Sequence, residues 1–294
     1  MKNRIGYLYL VMTCFIWGSI YIAGKYALSV LGPVTVVFIR YLVSLICLGL
    51  LLKVKKSRRK VAKEDWKYIW IVGGLGYFVS IVLQMVGTKL LDASLASLIN
   101  GMNPITISLM AAIFLKEKIQ KRHMVSIGIS LVGVYVILGV GGKEISMAGV
   151  LVSLCSVCLW SSASVAIRRI SGKYDPVQIA LYGIMVAMLF TVPATAVELW
   201  SHPLVITREA LLACLYMGVL GTAVAHTLWN MSLGLLDAST CSMFYPLQPL
   251  TSAVLGVLLL HEVLTWNFVA GGLLICAGVI ISVLEIPGKG NAKS

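Results

Sequence analysis

The sequence predicts an all-α polytopic membrane protein, with ten transmembrane helices built as two inverted five-helix repeats and both termini in the cytoplasm. Composition is the first ground. Of 294 residues, 59% are hydrophobic and only 12% are charged. A soluble chain of this length could not bury that much apolar surface. The apolar runs are about 20 residues long, the length that crosses a bilayer. The alternating strands of an outer-membrane barrel do not appear. Duplication is the second ground. Leu91-Asp92-Ala93-Ser94, Pro104-Ile105-Thr106, Leu115-Lys116-Glu117 and Gly133-Val134 return 145 positions later as Leu236-Asp237-Ala238-Ser239, Pro249-Leu250-Thr251, Leu260-His261-Glu262 and Gly278-Val279. Shared Leu or Val carries little weight in so apolar a chain, whereas Asp, Pro and Glu repeated in one register indicate two copies. The third ground is where the basic residues fall.

Taken in order, the spans run over about 5–30, 33–52, 67–88, 92–115, 121–140, 146–169, 176–198, 208–232, 237–260 and 265–286. Met1-Lys2-Asn3-Arg4 leads directly into the first span without a small-residue cleavage site, so no cleavable signal peptide is expected. Gly32-Pro33 and Asp175-Pro176 open spans two and seven, where proline's missing N–H costs nothing. Asp92 and Asp237 stand at the starts of spans four and nine and are expected to cap those helices. Glu117 and Glu262 are expected to fix the turn into the next helix.

Residues 1–142 form the first repeat and 143–294 the second. An N-terminus inside places Lys2, Arg4 and the basic run from Lys53 to Lys67 in the cytoplasm. It also places there Lys116, Lys118, Lys121, Arg122, Arg168, Arg169, Lys173, Lys289 and Lys293, and leaves only Lys89, Lys143 and Arg208 in outer loops. That asymmetry is a topology signal. The net charge of +13 is therefore not the footprint of nucleic acid, and the run at 53–60 suits anchoring to anionic lipid.

Five spans is an odd number, so the second copy enters the membrane from the opposite side. Ile16-Trp17-Gly18-Ser19 is echoed by Leu159-Trp160-Ser161-Ser162, and Pro33 by Pro176, at an offset of 143. Inverted repeats are a transporter design with the substrate site near mid-membrane between the copies. Two near-equal halves can exchange conformations and open such a site to each side in turn.

These residues resemble the drug/metabolite transporter superfamily, specifically its EamA-type ten-helix exporters. Trp17-Gly18-Ser19 followed by Lys25 resembles that family's first-helix motif, Phe38-Ile39-Arg40-Tyr41 its second-helix motif, and the duplicated Asp-Ala-Ser, Pro, Leu-x-Glu and Gly-Val pattern its repeat signatures. The resemblance covers nearly the whole chain. It implies export of a small metabolite across the cytoplasmic membrane, and relatives that carry amino acids, other metabolites, sugar phosphates and nucleotide sugars.

Polar groups within the spans are the candidate site. A charge at the bilayer centre costs at least roughly 2.5–3.5 kcal/mol, so its presence asks for a reason. Trp17, Tyr21 and Lys25 share one face of span one. Arg40 lies seven residues beyond Pro33, roughly 10 Å below the outer surface at 1.5 Å per residue. Lys25 and Arg40 could hold a substrate carboxylate or phosphate. The plainer alternative is that Lys25 snorkels outward and Arg40 bonds backbone carbonyls. Asn100, Asn103 and Pro104 in span four match Tyr245, Gln248 and Pro249 in span nine, which adds Pro246. Proline frees the carbonyl four residues earlier, here those of Asn100 and Tyr245. Kinked helices bearing amides at one depth suit a mid-membrane cavity, or else bridge neighbouring helices. Span eight adds His226, Trp229 and Asn230. His226 could couple export to protons or simply bond a neighbouring helix.

Other chemistry finds little support. His261-Glu262-Val263-Leu264-Thr265 lacks the second histidine of a zinc protease, and no P-loop is present. Cys155 and Cys158 form a C-x-x-C inside a span without nearby His, and pack as small residues. No metal or cofactor is expected. Gly128 and Gly133, with Gly271, Gly272 and Gly278, suit close packing of the last span of each repeat, and the same faces could pair two chains as a homodimer. The leading reading is a secondary transporter exporting an amino-acid-like metabolite. An exchanger of an anionic metabolite, such as a sugar phosphate or nucleotide sugar, stands beside it, and a membrane-embedded enzyme is the competing class.

Overall fold

A computed structural model of the chain describes residues 2–55, 59–107, 110, 121–139, 145–201, 204–236, 241 and 244–283. The described residues fold as helices: α1 (Lys2–Leu28), α2 (Pro33–Lys55), α3 (Lys63–Leu90), α4 (Ala93–Asn100), α5 (Lys121–Gly139), α6 (Met147–Ile170), α7 (Pro176–Ser201), α8 (Arg208–Leu235), α9 (Leu247–Leu260) and α10 (Trp266–Val283). Six of these, α1, α2, α3, α6, α7 and α8, are long and apolar enough to cross a membrane, and α9 is a shorter apolar helix. Their outer faces carry exposed Leu, Val and Met, the surface expected against lipid. Trp200 and Trp266 lie almost fully exposed at helix ends, where an amphipathic ring meets a membrane interface.

Local chemistry sets the helix ends. Pro33 and Pro176 are the first residues of α2 and α7. Ser146 accepts from Gly149 N (3.1 Å) and Thr207 from Ala210 N (3.3 Å), capping α6 and α8. Asp92 was the expected cap of α4, but its side chain makes no cap hydrogen bond. Glu262, which follows α9, takes that role from the other repeat. Its carboxylate accepts from Ala93 N (2.6 Å), Ser94 N (3.1 Å) and the Ser94 hydroxyl. A second turn of chain brings a full negative charge to two orphan N–H groups, which a neighbouring Asp need not then satisfy. Glu117 and Asp237 lie outside the described residues.

The middles of α3 and α8 are wound as π-helix, over Ile71–Ser80 and Met217–Val224. These segments occupy matching places in the two copies, and each packs on the first two helices of the opposite repeat. The close approaches match position by position. A Cβ on Gly73 would stand 2.5 Å from the Gly183 carbonyl of α7, and one on Gly218 2.9 Å from the Arg40 carbonyl of α2. A Cβ on Gly76 would meet Ala163 of α6, and one on Gly221 would meet Ile20 of α1. Gly73 and Gly76 are related to Gly218 and Gly221 by 145 positions, and Ile20 and Arg40 to Ala163 and Gly183 by 143. Only glycine lets backbones come this near, so the duplicated glycines hold the copies together in a pseudo-twofold manner.

Other contacts follow the same exchange. Helix α2 runs against α7, and α5 packs on α10, where Gly133 meets the Gly271 carbonyl. At one end of the α2–α7 pair, Glu198 accepts from Val34 N (3.1 Å), Thr35 N (2.7 Å) and the Thr35 hydroxyl (2.6 Å). At the other end Lys55, the pseudo-equivalent of Glu198, reaches Asp175 at 3.4 Å. Beside it Asp65 accepts from Lys173 (3.1 Å) and Tyr174 (2.8 Å), and Gln178 and Arg59 exchange two hydrogen bonds.

Candidate functional site

The two π-helical segments flank a small chamber of about 30 Å3, room for a water molecule or two. Helix α1 supplies Trp17 and Ile20, α2 supplies Arg40, and α3 supplies Ser80, Ile81 and Gln84. Asn100 ends α4, and Asn103 follows it. From the second repeat come Ser156 and Trp160 of α6, His226 of α8, and Tyr245 and Gln248 at the entry to α9.

The centre of this seam is aromatic. Trp17 meets its repeat mate Trp160 edge-on, with ring centroids 5.5 Å apart and planes at 90°. His226, Trp229 and Tyr245 lie 5.7, 5.4 and 6.4 Å from the Trp17 ring. The indoles are fixed at their polar ends: Trp17 Nε1 donates to the Gly221 carbonyl (3.2 Å) and Trp160 Nε1 to the Tyr245 hydroxyl (3.0 Å). A buried indole N–H with a partner costs nothing, and its ring then stays in one pose.

Broken helices supply the amides. Helix α4 ends at Asn100, Gly101 and Met102 form a turn, and helical geometry resumes at Asn103. A turn over 244–246 likewise precedes α9. Pro104, Pro246 and Pro249 thus stand at the starts of resumed helices rather than inside a bent one. The reason is that a first turn needs no N–H from proline, while an interior turn does. The Asn100 carbonyl that Pro104 leaves open accepts from Asn103 Nδ2 at 2.6 Å, and the Tyr245 carbonyl accepts from Gln248 N at 2.9 Å. Asn103 Oδ1 takes a 3.3 Å bond from Ser161.

Among the described residues Arg40 is the one guanidinium or ammonium lining the chamber, and it is 1% exposed. Its Nε donates to the Thr222 hydroxyl, which donates in turn to the Met217 carbonyl at 2.9 Å, five residues back in the π-turn of α8. Among the described residues its Nη1 has no hydrogen-bond partner, and no acid lines the chamber. Every described carboxylate lies at a helix end, and the two described ion pairs are there as well. Both ring nitrogens of His226 are also buried without hydrogen-bond geometry to a described partner, although the Gly221 and Thr222 carbonyls lie beside the ring.

The structure therefore gathers Trp17, Arg40, Asn100, Asn103, His226, Tyr245 and Gln248 around one space. Tyr21 lies one layer behind and accepts from Gln84 Nε2 at 2.8 Å, and Trp229 backs Trp17 and Tyr245. Lys25 is half-buried in α1 and is not part of the lining. Ile20, Ser80, Ile81, Gln84, Ser156 and Trp160 were not singled out from sequence. Trp160 carried a usable signal as the repeat mate of Trp17, and Gln84 as an amide in mid-span. Among the described residues no group of three or more His, Cys, Asp or Glu comes together to hold a metal ion.

Comparison with known proteins fits this arrangement. The sequence profile of the EamA-like transporter family matches residues 4–139 and 147–284, one match per repeat. An uncharacterized transporter of Archaeoglobus fulgidus is 22% identical over 96% of this chain and 99% of its own length. An uncharacterized transporter of Clostridium kluyveri is 27% identical over 94% and 92%. The uncharacterized inner membrane transporter YhbE of Escherichia coli is 27% identical over 85% and 80%. A crystal structure 19% identical in sequence shares the fold, with a TM-score of 0.69 over 96% of both chains. With two copies of the family's domain in one polytopic helical chain, the protein belongs to the EamA-like transporter family.

Proposed function

We propose that the chain is a secondary transporter that exports a small, amino-acid-like, carboxylate-bearing metabolite across the cytoplasmic membrane, with the chamber between the repeats as its substrate site. In this reading the chain crosses the membrane ten times with both termini inside, and the chamber opens alternately to each face. The observation that carries it is the Arg40 guanidinium, buried in the chamber with, among the described residues, a donor unused and no acid lining the space. A substrate carboxylate would complete a charge-assisted hydrogen bond there. The faces of Trp17, Trp160 and Tyr245 suit the rest of the molecule, an ammonium group included. The amides of Gln84, Asn100, Asn103 and Gln248 would replace its water.

The same guanidinium supports a second reading, in which the substrate is a phosphorylated or otherwise anionic metabolite. Counterflow in proteoliposomes preloaded with alanine, phenylalanine, glutamate or glucose 6-phosphate separates the two. Uptake confined to amino acids supports the first, and uptake confined to the sugar phosphate supports the second. Uptake of neither class by folded protein contradicts both.

A further inference from the structure

We infer that transport through this chamber is an exchange of carboxylates, because Arg40 hinders the empty protein from changing sides. The inference rests on the transporter reading and adds its coupling. Arg40 is buried, and among the described residues Nη1 has no hydrogen-bond partner and no carboxylate lines the space. An unpaired charge held away from water is costly, while one paired and hydrogen-bonded is much less so. To change sides the chamber must pass through a closed form in which bulk water cannot solvate the guanidinium. With a carboxylate aboard, the substrate is the counter-ion that the described lining lacks. Empty, the cation faces that passage alone.

Position strengthens the point. The Arg40 carbonyl lies against Gly218, and its Nε is held by Thr222, both in the π-helical segment of the opposite repeat. The charge therefore sits on the seam along which the repeats must shift. The pseudo-equivalent of Arg40 is Gly183, so the seam carries this charge once and calls for one carboxylate per passage.

The test uses proteoliposomes loaded in turn with labelled alanine, phenylalanine, glutamate and benzoate. Release is followed into buffer with or without the same unlabelled compound, with sulfate replacing chloride so that a small halide cannot serve as return partner. For a transported carboxylate, release into substrate is expected to exceed release into empty buffer at least ~10-fold. Arg40→Gln is expected to bring that ratio near 1 while raising the concentration needed for half-maximal flux. Thr222→Val, which keeps the cation, is expected to retain the ratio and so separates loss of charge from damage to the seam. Wild-type release as fast into empty buffer as into substrate overturns the inference and leaves transport standing. An Arg40→Gln protein that is folded, active and still exchange-dependent overturns it as well. No flux of any of these compounds overturns both the inference and the carboxylate-transport reading beneath it.

Discussion

Position 40 in the first repeat and position 183 in the second are the same place in the scaffold. Each backbone carbonyl lies against a glycine in the other repeat's π-helical segment, Gly218 for Arg40 and Gly73 for Gly183. One place carries a buried guanidinium and the other only a hydrogen. The same contrast recurs around the chamber: Gln84 of α3 answers to Trp229 of α8, Tyr77 to Thr222, and Asn100 to Tyr245. Trp17 and Trp160 are repeat mates that are alike and meet at the centre. The comparison separates two jobs. Glycines and small residues must repeat, since both interfaces have the same spacing. Side chains facing the space need not, and their asymmetry places the guanidinium on one repeat alone of the pair Arg40 and Gly183.

The scaffold half of this comparison breaks most severely at the repeated glycines. Gly73→Val and Gly218→Val each drive side-chain carbons into a carbonyl of the facing helix. Each should cost about 3 kcal/mol, the upper range for overpacking, and abolish most folded protein in detergent. Gly74→Val is the control, because its nearest neighbour would be a Phe190 ring atom at 3.8 Å. A tolerated Gly218→Val beside a lethal Gly73→Val would mean that the two interfaces are not equivalent.

The chemical half is sharpened by Arg40→Gln. Flux should fall at least ~10-fold, the loss of about 1.4 kcal/mol of interaction. The melting temperature should hold or rise, because removing an unpaired buried charge relieves a cost. A clear drop in melting temperature with normal flux would recast Arg40 as a structural bridge to Thr222. Smaller effects belong to the helix-end carboxylates. Glu262→Gln and Glu198→Gln keep shape and lose charge at the N-termini of α4 and α2, so each should cost about 1 kcal/mol in a melting experiment. Lys55→Met, at a part-exposed pair, should change stability by less than ~0.5 kcal/mol.

Much of the fold was legible in the sequence, for reasons that differ by element. Apolar length gave the long helices, and paired Asp, Pro and Glu in one register gave the duplication. The π-helical winding was not legible, because the glycines of Ile71–Ser80 and Met217–Val224 signal close packing and do not say how the helix is wound. The helix breaks were misplaced by a turn, since Pro104 and Pro249 were read as interior kinks. Proline alone does not say whether the chain bends through it or restarts at it. Asp92 was read as a local cap, whereas the charge came from Glu262, 169 or so residues on along the chain from Ala93. In the site, residues of unusual cost such as Arg40 and His226 stood out. Ser80 and Ser156 did not, because serine inside a membrane helix usually bonds its own backbone. Lys25 shares a helical face with Trp17, but eight residues along a helix is about 12 Å, too far to reach one chamber of this size.

The central claim is that the space between the repeats is the path of the substrate. Ser80→Cys and Ser156→Cys place a thiol on each repeat's side of the chamber, in a background where the seven native cysteines are replaced. A membrane-impermeant thiol reagent is applied from one face and then, in separate vesicles, from the other, with and without a counterflow substrate. The account expects each thiol to react from both faces and to be protected by substrate. Ser44→Cys, buried outside the chamber, is expected to react from neither face. Labelling of the two chamber thiols from a single face only, or labelling that substrate leaves unchanged, would contradict the account.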